Sequence, residues 1–163
     1  MIELNVGIRW LHLFFQDGNA MVYPVEYFVT HIDHTADLGI HVYGNTQIDL
    51  FSHAALALMN FVTDLKRVRK RLKKSVVIEG SDPTDLFINF LREILYLING
   101  EGFLFRDISL DMASSGHLHV LMKGEYIDNQ RHEIKTEIKA VTYHQAAVMQ
   151  TNRGWQGKVI FDV

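Results

Sequence analysis

Hydrophobic and polar positions alternate with two different periods along this chain, and the changes of period mark its elements. Tyr27-Phe28-Val29-Thr30-His31-Ile32 is rich in aromatic and β-branched residues and predicts a strand. Gly39 to Tyr43 predicts a second, closed by the turn residues Gly44-Asn45. Thr46-Gln47-Ile48-Asp49 then has the form of a capping box, a hydroxyl and a carboxylate three residues apart. Behind it Phe51, Ala54, Ala55, Leu58, Met59 and Val62 recur at helical spacing and give one apolar face. Ser75 to Glu79 reads as a short β-branched strand. A second helix opens at Asp82-Pro83, with Leu86, Phe87, Phe90, Leu91, Ile94 and Leu95 as its buried stripe and Asn99-Gly100 as its stop. Four strands follow, over Phe103 to Asp111, His117 to Lys123, Glu137 to Gln150 and Trp155 to Val163. Ser114-Ser115-Gly116, Asp128-Asn129-Gln130 and Asn152-Arg153-Gly154 break them apart. Two helices against a mostly antiparallel sheet make a two-layer α+β domain.

Composition narrows the classes. The 163 residues suffice for one domain with a substantial core, and 48% hydrophobic with 21% charged residues is a globular balance. A formal charge of −3 argues against binding nucleic acid through overall charge. With no cysteine, thiolate zinc sites, disulfides and cysteine nucleophiles are excluded, which suits a reducing cytoplasm. The apolar run Trp10 to Phe15 is too short for a membrane span or a secretory core, so no membrane partner is expected. Residues 1–26 read as an N-terminal extension, with Met21 a candidate start, and 27–163 as the domain proper.

Two aspartates sit beside strand residues near the two ends: Asp37 in His34-Thr35-Ala36-Asp37, and Asp162 in the closing Phe161-Asp162-Val163. If the last strand docks beside the first of these segments, Asp37, Asp162 and the Val163 carboxylate converge into an all-oxygen site, which hard divalent cations prefer. Three segments, HTADLGIHVYG at His34 to Gly44, RHEIKTEIKAVTYH at Arg131 to His144 and VIFDV at Val159 to Val163, resemble the signature blocks of the archease family, in its order and at roughly its separations. The resemblance runs from about Tyr27 to the end. It implies an accessory factor rather than an enzyme, one that binds a GTP-dependent RNA ligase of the RtcB type, meets RNA through it, and promotes guanylylation and repeated turnover in tRNA splicing and RNA repair. It also implies a calcium ion, or magnesium or manganese, at Asp37, Asp162 and Val163. Asp33 stands where the family is expected to carry glutamate, and its shorter side chain reaches only from the rim.

His34 and His132 are expected to orient the neighbouring carboxylates. Of the histidines, His34, His132 and His144 are the best zinc candidates, but none has a histidine partner at a compact zinc spacing. Alternation puts Ile138, Ala140, Thr142 and His144 on one strand face, making His144 a hydrogen-bonded sheet residue. The run Lys66 to Lys74 has seven basic residues in nine positions and reads as a solvated loop, with Lys66, Arg67, Arg69 and Lys70 as weak docking candidates for a partner or RNA. No aromatic residues interleave it to stack bases. Two other readings remain open: a stand-alone metal-dependent hydrolase of a phosphorylated small molecule, and an RNA-binding module built on the basic run.

Overall fold

Both helices begin at the caps legible in the sequence. The computed structural model describes residues 6–16, 19–31, 37–114 and 116–163, with the backbone alone up to residue 37 and at 113. Thr46 Oγ1 accepts the Asp49 amide at 3.0 Å and Asp49 Oδ2 accepts the Thr46 amide at 2.9 Å, so α1 (Gln47–Val62) opens on a reciprocal capping box. In front of it, a Cβ on Gly44 would lie 2.3 Å from the Leu50 nitrogen; only glycine lets strand and helix approach so closely. For α2 (Pro83–Asn99), Asp82 Oδ1 accepts the amides of Thr84 at 2.8 Å and Asp85 at 2.9 Å, and Pro83 fills the first turn, where a missing N–H costs nothing. Its end is the expected Asn99-Gly100 stop, with Gly100 as the C-cap. Gly100 remains right-handed, and Gly102, at φ +66°, turns the chain while its amide donates to Ile98 O at 3.0 Å.

The strands among the described residues are β1 (Val6–Gln16), β2 (Asn19–His31), β3 (Asp37–Gly44), β4 (Leu72–Glu79), β5 (Phe103–Ser114), β6 (His117–Tyr126), β7 (Ala140–Thr151) and β8 (Gly154–Asp162). The α+β class with antiparallel pairing is as expected. The single sheet is not: the strands divide into a sheet of order β1-β2-β3-β8-β7 and a second of order β4-β6-β5. The strand expected from Tyr27 begins at Asn19 and pairs with β1, so much of residues 1–26 lies in a hairpin at the outer edge of the larger sheet.

Each helix meets both sheets. α1 packs on β3 and β8 of one and on β5 of the other, and α2 on β7, β4 and β5. Leu50, Leu56 and Ala57 are therefore buried along with the predicted stripe of α1, which is wider than a helix on a single sheet needs. The Phe51 ring joins the helices, 5.0 Å from Phe87 and 5.6 Å from Phe90 between centroids. α2 also covers the β7 edge of the larger sheet, opposite β1: Thr84 Oγ1 accepts the Val148 amide at 3.0 Å, Arg92 Nε donates to Val141 O at 3.3 Å, and Asn99 Nδ2 to Ile138 O at 2.8 Å. Such cover removes an edge from further pairing.

β7 departs from simple alternation. Thr142 pairs with Ile160 and Ala147 with Lys158, so five residue steps on β7 oppose two on β8. The excess bulges outward at Tyr143, His144 and Gln145, all exposed, with Gln145 at φ +55°. His144 is thus hydrogen-bonded as expected, its Nε2 3.2 Å from the Gln145 side-chain Nε2, but on a bulge and not in regular alternation.

Candidate functional site

One end of the molecule collects most of the candidate chemistry. β8 lies between β3 and β7, and its last residue, Asp162, is paired across the ladder with Asp37 on one side and Ala140 on the other. The docking on which the two-aspartate site depends is thus present in the backbone, with positions 37 and 162 directly opposed. The Lys139 amide donates to Asp162 O at 2.8 Å, and Lys139 Nζ donates to Val163 O at 3.2 Å. Asp33 and His34 lie outside the described residues.

The donor chemistry fits a hard cation: Asp162, the Val163 oxygen and the paired position 37 offer anionic or carbonyl oxygens only. Among the described residues, no group of three or more His, Asp or Glu side chains is placed to hold a metal ion.

The loop between β6 and β7 ties this end to the basic run. Thr63, just past α1, bridges to Ile134 and donates its hydroxyl to Glu133 O at 2.8 Å, while the Lys135 amide donates to Val62 O at 2.9 Å. The loop's anchor is Glu125 at the end of β6, only 5% exposed. Arg131 grips it with two bonds of 3.0 Å, and the Arg69 amide donates to it at 2.7 Å. His132, also buried, accepts the Asp128 amide on Nδ1 at 3.0 Å, so its proton sits on Nε2, which donates to Glu125 at 3.2 Å. Arg131 also binds Asp128 at 2.7 Å. Chiefly through the Arg131 hydrogen bonds, and against the opposing effect of burial, the Glu125 carboxyl is held down to about 2. Both ring nitrogens of His132 are engaged here, and the carboxylate that its ring holds is Glu125. The sequence reading missed this network: a glutamate after an alternating strand reads as surface.

All four docking candidates, Lys66, Arg67, Arg69 and Lys70, are exposed, and two of them pair with carboxylates. Arg67 pairs with Asp64 at 4.0 Å and donates to Arg131 O at 3.4 Å. Lys70 pairs with Asp107 at 3.1 Å, alongside Lys123 at 3.4 Å. Burial alone would raise the Asp107 carboxyl, but these ammoniums hold it below its ordinary value. The run is therefore not one solvated loop: a short 3₁₀ turn, Leu65–Arg67, takes in its first two residues and β4 begins at Leu72. Replacing Lys66 and Arg69 with serine is expected to weaken binding to an acidic partner roughly three- to tenfold at low salt and not at high salt, as screening removes surface attraction. Lys70→Ser should instead act on stability. Equal affinities at low salt would return Lys66 and Arg69 to plain solvated residues.

His53, on α1, donates Nδ1 to Tyr43 O at 2.6 Å and thereby fixes α1 to β3. At the β7 bulge, Tyr143 donates its hydroxyl to Asp85 at 2.5 Å, which lowers the Asp85 carboxyl, and Arg92 lies 4.5 Å above the Tyr143 ring. No helix among the described residues is long and apolar enough to cross a membrane.

Residues 30–163 match the model of the Archease protein family. A protein from Pyrococcus furiosus named "Protein archease" is 34% identical over 137 residues, covering 82% of this chain and 96% of its own. One of the same name from Methanosarcina barkeri is 32% identical over 137 residues, covering 82% and 94%. The solution structure of Methanobacterium thermoautotrophicum protein 1598 superposes with a TM-score of 0.67 at 30% identity, covering 81% of this chain and 96% of that one.

Proposed function

Because the chain belongs to the archease family, we propose that it is an accessory factor in RNA processing, without a catalytic centre of its own, that binds an RtcB-type GTP-dependent RNA ligase and promotes its guanylylation and repeated turnover. The observation that supports a metal-dependent mode of action is the opposition of Asp37 and Asp162 across the β3–β8 ladder. Like charges directly opposite each other weaken a strand pair, so an acidic pair kept at the end of a ladder is better explained by use than by stability. Calcium, or magnesium or manganese, held there would supply positive charge to phosphate oxygens during guanylate transfer. The residues' own part is to supply oxygen donors from the end of the β3–β8 ladder, where Lys139 engages the Val163 oxygen. Lys139 neutralises this end when no cation does so, and its flexible ammonium can yield to one.

Counting RNA molecules joined per ligase molecule, with and without this protein, tests the proposal. Many joined ends per ligase only when the protein is present is the expected result. Turnover that is the same in both mixtures would count against it, and release of phosphate from small phosphorylated compounds by the protein alone would favour the hydrolase reading.

A further inference from the structure

No aromatic residue interleaves the basic run in sequence, but the fold brings aromatic rings from other elements beside its last member, and the consequence is a surface unused so far. Lys74, last of the run, stands 5.9 Å from the ring centroid of Tyr126 and 5.4 Å from that of Phe103. It is also within electrostatic reach of Tyr96 on α2, and it pairs with Glu101. Tyr96 and Tyr126 are 58% and 52% exposed, large tyrosine faces left to solvent beside a cation. Tyr96 in turn lines a groove of about 370 Å³ between α2 and the start of β7, with Arg92 one turn before it and Lys139 across from it. The Val141 hydrogen bond uses only Arg92 Nε, and both Arg92 and Lys139 are exposed. Lys139 reaches Val163 O, so the groove opens beside the Asp162 end.

We propose that Tyr126, Tyr96, Arg92 and Lys139 form a binding track for single-stranded RNA, bases stacking on the tyrosines and phosphates meeting the arginine and lysine. Single strands are held by this combination of aromatic platforms and a cationic groove, which needs no base-specific hydrogen bonds and no excess of positive charge over the whole protein. An acidic peptide would use the two cations but has no comparable use for two exposed rings set along the track. The track concerns RNA contact by the protein itself and does not depend on the metal or on ligase activation.

The test is fluorescence anisotropy of a labelled oligouridylate with the full chain in chelator, without ligase. Binding at low salt is expected, with Tyr96→Ala and Tyr126→Ala each weakening it about tenfold and Tyr96→Phe restoring it, since stacking needs the ring and not the hydroxyl. Arg92→Gln and Lys139→Gln should each reduce the slope of log affinity against log salt by about 0.7. No binding at low salt, tyrosine variants that bind as wild type does, or binding lost only in the Lys66 and Arg69 variants would overturn the proposal. So would equal loss in Tyr96→Phe and Tyr96→Ala. A track that captures an acidic peptide but not the oligonucleotide would assign it to a protein partner instead.

Discussion

Glu125→Ala is expected to lower the melting temperature by roughly 5–10 °C, a loss of about 2–3 kcal/mol at the usual size scaling. The substitution removes a buried acceptor serving three donors at once: the Arg131 guanidinium, the Arg69 amide and His132 Nε2. His132 Nε2 is left without that acceptor in a buried setting and the Arg69 amide in a part-buried one, whereas Arg131 keeps Asp128. Breaking such a network costs more than its net worth, because unpaired buried groups retain their desolvation penalty. The Glu125 carboxyl sits at about 2 in the folded protein against an ordinary 4.5. A folded value below the unfolded one means that the charge adds stability above about 4.5, and that this contribution is lost as the pH falls from there towards 2. The gap in melting temperature between wild type and Glu125→Ala should thus be constant near neutrality and shrink in acid. A gap that persists unchanged into strong acid would show that packing, not charge, is what Glu125 supplies.

Asp162→Ala is expected to abolish stimulation of the ligase while leaving the metal-free fold as stable as before, or slightly more so. Asp162 is at the end of β8 and only partly buried, so truncation opens no core cavity. It also removes one of two acidic positions opposed across the ladder. If a cation is held there, calcium should raise the melting temperature of the wild type by binding the native state. The same addition should leave Asp162→Ala unchanged, and Asp37→Ala should behave alike. A calcium-induced rise of equal size in wild type and both variants would remove these two residues from any metal site.

Local chemistry made the helices legible: a hydroxyl–carboxylate box at Thr46 and Asp49 and an Asp-Pro start at Asp82 act through neighbours in sequence. The opposition of Asp37 and Asp162 was legible for a different reason: the docking of the two end segments is a conditional reading, and the resemblance to archeases favours it. What the sequence hid depends on distant packing. In β6, Leu118, Val120, Met122 and Gly124 alternate inward, which puts Glu125 on the outer side; it is buried only because the loop bearing Arg131 and His132 folds over it. The β7 bulge has no glycine to announce it, as Gln145 takes the left-handed turn. The division into two sheets follows from which strands pair, and Lys74 meets Tyr126 only through the β4–β6 register. None of these is set by spacing along the chain.

The central proposal, that this protein promotes guanylylation of an RtcB-type ligase, is tested most directly by loading the purified ligase with radiolabelled GTP, without RNA, and measuring covalent GMP over time. The expected result is rapid labelling with the wild-type protein and calcium, and labelling no faster than ligase alone with Asp162→Ala. Labelling at one rate with wild type, variant or no added protein would contradict it.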